Sequence, residues 1–290
     1  MRSNEELSGK AFVVGGRLVP FECDRYGVCM SPANLFIMGA PRSGTSMTAG
    51  LFSGGAFHQG DHFRPADDRN PHGYFEADEI TFLNEELLKP LVRRLPMPVW
   101  EFLERPGLRS ALKPLFPWVT PYGKRFLSHL PEYASIPEPE AALELRMREC
   151  VSHTPFCYKD PRFSYTFVRW RQLASNCRFL CLVRDPYVTT ASMIRFGWPF
   201  SVRAALKTWF CMYRFILANR EEEDPNWMFA HYEQVLSGEV HEKLEAFADA
   251  PVDAGFVDPG ANRSRAAKGF RDAAVDRLYE ELCALANYQN

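Results

Sequence analysis

Leu35-Phe36-Ile37-Met38-Gly39-Ala40-Pro41-Arg42-Ser43-Gly44-Thr45-Ser46 is the stretch on which the fold turns. Its apolar first half predicts a buried strand, and its second half is a glycine-framed loop that opens a helix. Such a junction can aim backbone N–H groups and a helix N-terminus at an anion, which is sufficient to hold a phosphate. In the nucleoside-triphosphate version, G-x-x-x-x-G-K-[ST], a lysine after the second glycine reaches the β- and γ-phosphates, and the neighbouring hydroxyl holds magnesium. Here Thr45 occupies the lysine position and the cation moves inside the loop as Arg42. The cradle is kept, while the equipment for a γ-phosphate and its metal is missing. The plainer reading of the same residues is a tight strand-to-helix turn capped by hydroxyls.

Working outward, Met47, Leu51 and Phe52 recur at helical spacing and predict a helix from about Thr45 to Phe52, followed by a second strand near Gly55 to Gln59. The charged, Pro- and Gly-rich segment from Asp61 to Tyr74 reads as a long loop, and from Glu76 the residues Ile80, Leu83, Leu87 and Leu88 form one helical face. Leu95 to Pro139 reads as an insertion of short helices and loops, a natural place for an acceptor-binding lid. The α/β rhythm then resumes with strands at Phe156–Lys159, Arg178–Val183 and Trp227–His231. Helices alternate with them around Phe163 to Ala174, after Asp185-Pro186, and from Val202 to Asn219. A charged helix from Gly238 to Asp249, a basic loop and a terminal helix close the chain. Ala11 to Val19 suggests a short hairpin ahead of the core.

About five such strands predict a doubly wound α/β fold with a parallel sheet, helices on both faces and ligands at the carboxyl ends of the strands. Residues 1–33 are expected to be an N-terminal extension and residues 34–290 a single domain. At 290 residues the chain is long enough to bury a full core without staples. Hydrophobic residues at 46% and charged residues at 24% are globular proportions, and the net charge of −2 argues against a dedicated nucleic-acid binder. A polar start at Met1 to Lys10, with no apolar segment after it, leads to the expectation of a cytoplasmic protein without a membrane partner. The eight cysteines show no C-x-x-C spacing and are expected to be reduced and mostly buried. His58 and His62 have a zinc-like i, i+4 spacing, but Gly60 between them marks a turn, so no metal is expected.

Two further segments carry chemistry. Arg184 ends a strand and Ser192 lies two turns into the next helix, a pairing that suits a second phosphate or, more plainly, a capped helix with a surface ion pair. Lys159 lies at another strand end, and Glu76 opens a helix beside the same rim.

Together and in this order, Gly39 to Ser46 and Val183-Arg184-Asp185-Pro186 running to Ser192 resemble the sulfotransferases that use 3′-phosphoadenosine 5′-phosphosulfate. The arginine form of the loop is similar to the tyrosyl-protein, carbohydrate and bacterial branches. Asn70-Pro71-His72-Gly73-Tyr74-Phe75-Glu76, Tyr158-Lys159-Asp160-Pro161-Arg162 and Phe229-Ala230-His231-Tyr232-Glu233 extend the resemblance from about Leu35 to Arg265, with Leu95 to Pro139 unmatched. The resemblance implies sulfuryl transfer to a hydroxyl or amine of a small-molecule or carbohydrate-like acceptor. It implies a nucleotide held by Pro41, Arg42, Ser43, Gly44, Thr45, Ser46, Arg184, Ser192 and Arg263, with Arg265 as the alternative to Arg263. Arg42 and Lys159 are expected to neutralise charge on the leaving phosphate. Glu76 is expected to be the base, with Asp61 and His62 in reserve and helix stabilisation as its plainer role. Tyr232 can touch the nucleotide or simply pack in the core, and Trp198 and Phe200 can stack on adenine. A small-molecule kinase with a divergent loop and a non-catalytic nucleotide-binding protein of the same fold remain alternatives, distinguished by magnesium-dependent ATP binding and by turnover.

Overall fold

The computed structural model describes residues 11–14, 17–20, 32–67, 70, 72–94, 119–120, 127–196, 201–257 and 271–289. Ahead of the core, β1 (Ala11–Val14) and β2 (Arg17–Pro20) pair as an antiparallel hairpin. The core starts with β3 (Asn34–Met38), buried along its whole length, which passes through the glycine loop into α1 (Thr45–Leu51). The strand expected at 55–59 contracts to one parallel bridge between His58 and Phe156. Gly55 and Gly60 flank it in the positive-φ region, at 93° and 113°, and such residues cannot extend a ladder. After the long loop, α2 (Asp78–Leu88) turns Ile80, Leu83, Leu87 and Leu88 inward, as the periodicity predicts.

A short parallel pair, β4 (Arg93–Arg94) with β5 (Val119–Thr120), precedes α3 (Ala141–Ser152). Most of the expected 95–139 lid lies outside the described residues. Regular alternation follows: β6 (Cys157–Lys159), α4 (Phe163–Trp170), β7 (Cys177–Val183), α5 (Pro186–Arg195), α6 (Val202–Asn219) and β8 (Trp227–His231). The chain continues through α7 (Tyr232–Ser237), α8 (His241–Ala248) and α9 (Ala273–Leu285). The helix expected from Gly238 begins later because Gly238, left-handed at φ 85°, ends α7 instead. Asp185 caps α5 by accepting from the N–H groups of Tyr187 and Val188, with Pro186 in the first turn.

The sheet order is β6-β3-β7-β8, with every neighbouring pair parallel. Because side chains alternate along a strand, each central strand feeds two cores. Phe36, Met38, Phe179, Cys181 and Val183 enter the core under α2, α4, α6 and α9, while Leu35, Ile37, Leu180 and Leu182 enter the one under α1, α7 and α8. Phe36 alone meets the rings of Phe156, Phe163 and Phe179 at 5.0–5.5 Å. Burying one such side chain stabilises by about 1.5–3 kcal/mol. This apolar stacking clamps the four strands, so their carboxyl ends at Met38, Lys159, Val183 and His231 emerge along one rim. Among the described residues, no helix is long and apolar enough to cross a membrane.

Candidate active site

The loop after β3 depends on two glycines. At Gly39 (φ 144°) a Cβ would stand 2.5 Å from the Leu182 carbonyl oxygen, and at Gly44 (φ 98°) it would stand 2.5 Å from the Tyr232 ring. Between them Arg42 is itself left-handed, at φ 72°. A non-glycine residue held there is strained, and the surrounding structure must supply the compensation. Gly44, at the N-terminus of α1, supplies no side-chain cap to the helix.

Arg42 is compensated by contacts with the end of β7 and with α5. Its Nε donates to Ser192 Oγ at 3.2 Å, and its guanidinium lies 4.9 Å over the Phe196 ring. Arg184, leaving β7, donates from Nη1 to the Arg42 carbonyl at 3.2 Å and lies 3.8 Å over the Tyr232 ring. Burial holds both guanidinium pKa values below the ordinary arginine value, and Arg195, one turn beyond Ser192, pushes each the same way. Both remain charged. Among the described residues Arg42 has no carboxylate within ion-pair distance. A desolvated cation of this kind attracts an anion far more strongly than one in water.

The opposite wall is built from compensated charge. Lys159 Nζ donates to Glu76 Oε1 at 2.6 Å, with the lysine side chain 1% and the glutamate 21% exposed. Burial would raise the Glu76 carboxyl, but Lys159, Arg162 and Arg64 together hold it below its ordinary value. Phe75, left-handed at φ 52°, turns the chain into Glu76. Arg162 donates from Nη1 to both Asp160 oxygens at 3.1 Å and from Nε to Glu85 at 2.7 Å, and Thr81 Oγ1 donates to Asp160 at 3.1 Å. In a dry site such a cluster persists only because each charge is paired and hydrogen-bonded.

A cleft of about 310 Å³ separates the two walls. Pro41, Arg42, Thr45 and Ser46 line it on the loop side. Arg64, Tyr74, Glu76, Asp78, Thr81, Arg162 and Phe196 line the rest of it. Ser46 Oγ donates to the Tyr74 carbonyl at 3.1 Å, and Tyr74 Oη donates to Asp67 at 2.8 Å. Burial and that bond push the Tyr74 phenol up to about 12.

Of the residues expected from sequence, the fold gathers Pro41, Arg42, Thr45, Ser46 and Glu76 on the cleft. Arg184, Ser192 and Lys159 stand directly behind these, and Ser43 is buried beneath the loop. Asp61 and His62, the reserve bases, are exposed and do not line the cleft. Tyr232 is 8% exposed, packed between Gly44 and Arg184. Trp198, Phe200, Arg263 and Arg265 lie outside the described residues. Asp78, Thr81 and Phe196 also line the cleft, and no local sequence pattern marks them out. Arg162 lines the cleft as well, and the Asp160-x-Arg162 spacing is the local signal of its ion pair.

The Sulfotransferase family model matches residues 32–253 of the chain. No curated protein sequence matches it. The sulfotransferase domain of the Synechococcus PCC 7002 olefin synthase superposes with a TM-score of 0.51 at 15% identity, covering 86% of this chain and 94% of that one. A Mycobacterium tuberculosis H37Rv sulfotransferase gives a TM-score of 0.46 at 14% identity, over 88% and 78% of the two chains. The Alicyclobacillus acidocaldarius sulfotransferase gives 0.44 at 12% identity, over 90% and 98%. The chain belongs to the sulfotransferase family.

Proposed function

We propose, with membership of the sulfotransferase family as premise, that the chain transfers a sulfuryl group from 3′-phosphoadenosine 5′-phosphosulfate to a hydroxyl or amine of a small-molecule or carbohydrate-like acceptor. The observation that carries this reading is the joining of the glycine loop to the end of β7. Arg42 reaches Ser192, and Arg184 reaches back to the Arg42 carbonyl. Two desolvated cations beside the N-terminus of α1 suit a ligand with two separate anionic groups.

The donor, when bound, supplies the sulfuryl group and a phosphate leaving group. Pro41, Arg42, Ser43, Gly44, Thr45 and Ser46 hold its 5′ end, and Arg184 and Ser192 hold its 3′-phosphate. Glu76, kept ionised by Lys159, accepts the acceptor's proton at a carboxylate oxygen. Arg42, on the cleft wall, places positive charge where negative charge grows on the departing phosphate, and Lys159, behind Glu76, adds its charge once Glu76 has taken up the proton. Pro41, Tyr74 and Phe196 line the cleft beside Arg42.

Thermal shift with 3′-phosphoadenosine 5′-phosphate, ADP, and ATP plus magnesium at matched concentration tests the reading. A ligand at a hundred times its dissociation constant stabilises by ~2.7 kcal/mol, and the 3′-phosphorylated nucleotide should do so selectively. A preference for ATP with magnesium would replace the donor reading with a kinase.

A further inference from the structure

Helix α6 meets the sheet through two fully buried aromatic residues, Trp209 and Tyr213, four positions apart on one face with ring centroids 4.7 Å apart. Tyr213 Oη accepts the Ala40 N–H at 3.3 Å and donates to the Leu182 carbonyl. Trp209 Nε1 donates to the Arg184 carbonyl at 3.2 Å. One helix face is therefore bonded to main chain on both sides of the cation pair: the loop after β3 and the last residues of β7. Gly39 draws these two segments together as closely as backbone allows, since a Cβ there would meet the Leu182 oxygen at 2.5 Å and Tyr213 Oη at 3.3 Å. In a dry interior a main-chain group that loses its partner has no water to replace it, so each bond resists a change of spacing.

We infer that Tyr213 and Trp209 are positioning residues that set the spacing between the two phosphate subsites of the proposed donor site. The inference rests on that reading of the site. Neither side chain lines the cleft, and phenylalanine would fill nearly the same volume as Tyr213, so packing alone does not explain the hydroxyl. A preset spacing lets one nucleotide engage both subsites without an ordering cost on binding. Its signature is a large advantage of a bisphosphate over a monophosphate.

Calorimetric titration of wild type, Tyr213→Phe and Trp209→Phe with 3′-phosphoadenosine 5′-phosphate and with AMP reads that advantage. Each variant is measured well below its own melting temperature, and Trp209→Phe decides alone if Tyr213→Phe does not fold. The expected result is a bisphosphate-to-AMP preference reduced about tenfold, or about 1.4 kcal/mol, with AMP affinity within about twofold of wild type. A preference that survives both substitutions, or equal weakening of both nucleotides, overturns the spacer. A wild-type protein that does not prefer the bisphosphate overturns the donor reading itself, and the spacer with it.

Discussion

Arg42 and Arg162 line the same cleft, yet their surroundings are opposite. Arg162 has Asp160 and Glu85 as bonded carboxylates, with itself 7% and Asp160 0% exposed. Arg42 has a serine hydroxyl and a phenyl face. A buried cation with two carboxylates is already neutralised and serves the architecture, since its removal would strand the carboxylates in a dry site. One with neutral partners keeps its field for an incoming anion. The contrast separates a holding wall from a binding wall, and each substitution below tests on which side a residue belongs.

The largest effect is expected from Arg162→Met, which leaves Asp160 and Glu85 without their cation. Breaking a buried pair of this kind costs about 3–5 kcal/mol. Chemical denaturation should show it, and a loss below about 1 kcal/mol would mean that the cluster is solvated. Glu76→Gln keeps the shape and a hydrogen-bond acceptor for Lys159 but removes the proposed base. Turnover should fall roughly 10³-fold, about 4 kcal/mol, with the nucleotide-induced melting shift retained. Unchanged turnover in a steady-state assay would return Glu76 to a helix-stabilising role.

His231 sharpens the comparison from the binding wall. It is 2% exposed, its Nδ1 accepts the Glu233 N–H, its Nε2 meets Tyr279 Oη at 3.0 Å, and its ring stacks 3.6 Å from Tyr288. Burial, reinforced by the charge of Arg184, lowers its pKa to about 4. The folded imidazole is neutral where the unfolded one takes up a proton. Its contribution is complete above the ordinary histidine pKa and is lost as pH falls toward the folded value, about 3 kcal/mol in all. Melting curves between pH 7 and pH 4 should therefore fall more steeply for wild type than for His231→Asn, and parallel curves would show that His231 titrates normally.

Arg42→Ala is the smallest of the four, roughly 10²-fold in turnover or about 2.7 kcal/mol, with little change in melting temperature because no buried carboxylate is stranded. A large loss of stability with normal turnover would reverse the assignment of the two walls.

The binding wall was the more legible of the two in the sequence. Gly39 to Ser46 and Val183 to Ser192 are contiguous, and their loop glycines, cap and strand ends follow from turn chemistry and periodicity. β8 and α6 occupy the residues expected for them, because apolar runs and 3.6-residue spacing are strong signals over such lengths. The strand at 55–59 was over-read, since two glycines on its flanks outweighed its apolar centre. The holding wall was legible only as separate candidates. Glu76 and Lys159 were each singled out, but nothing local joins residues 83 positions apart, or Arg162 to Glu85 across 77.

Sequence by itself determined the strand–loop–helix unit, the parallel α/β class, the capped helix after Arg184 and the residue types available for anion chemistry. These are relations within a few residues, governed by backbone sterics and side-chain period. Only the tertiary structure decided that Arg42 meets Ser192 across 150 positions, that Glu76 is paired rather than free, and that Tyr213 bonds both the loop and β7. Those contacts follow from the strand order β6-β3-β7-β8, which packing of two cores selects and no local pattern encodes.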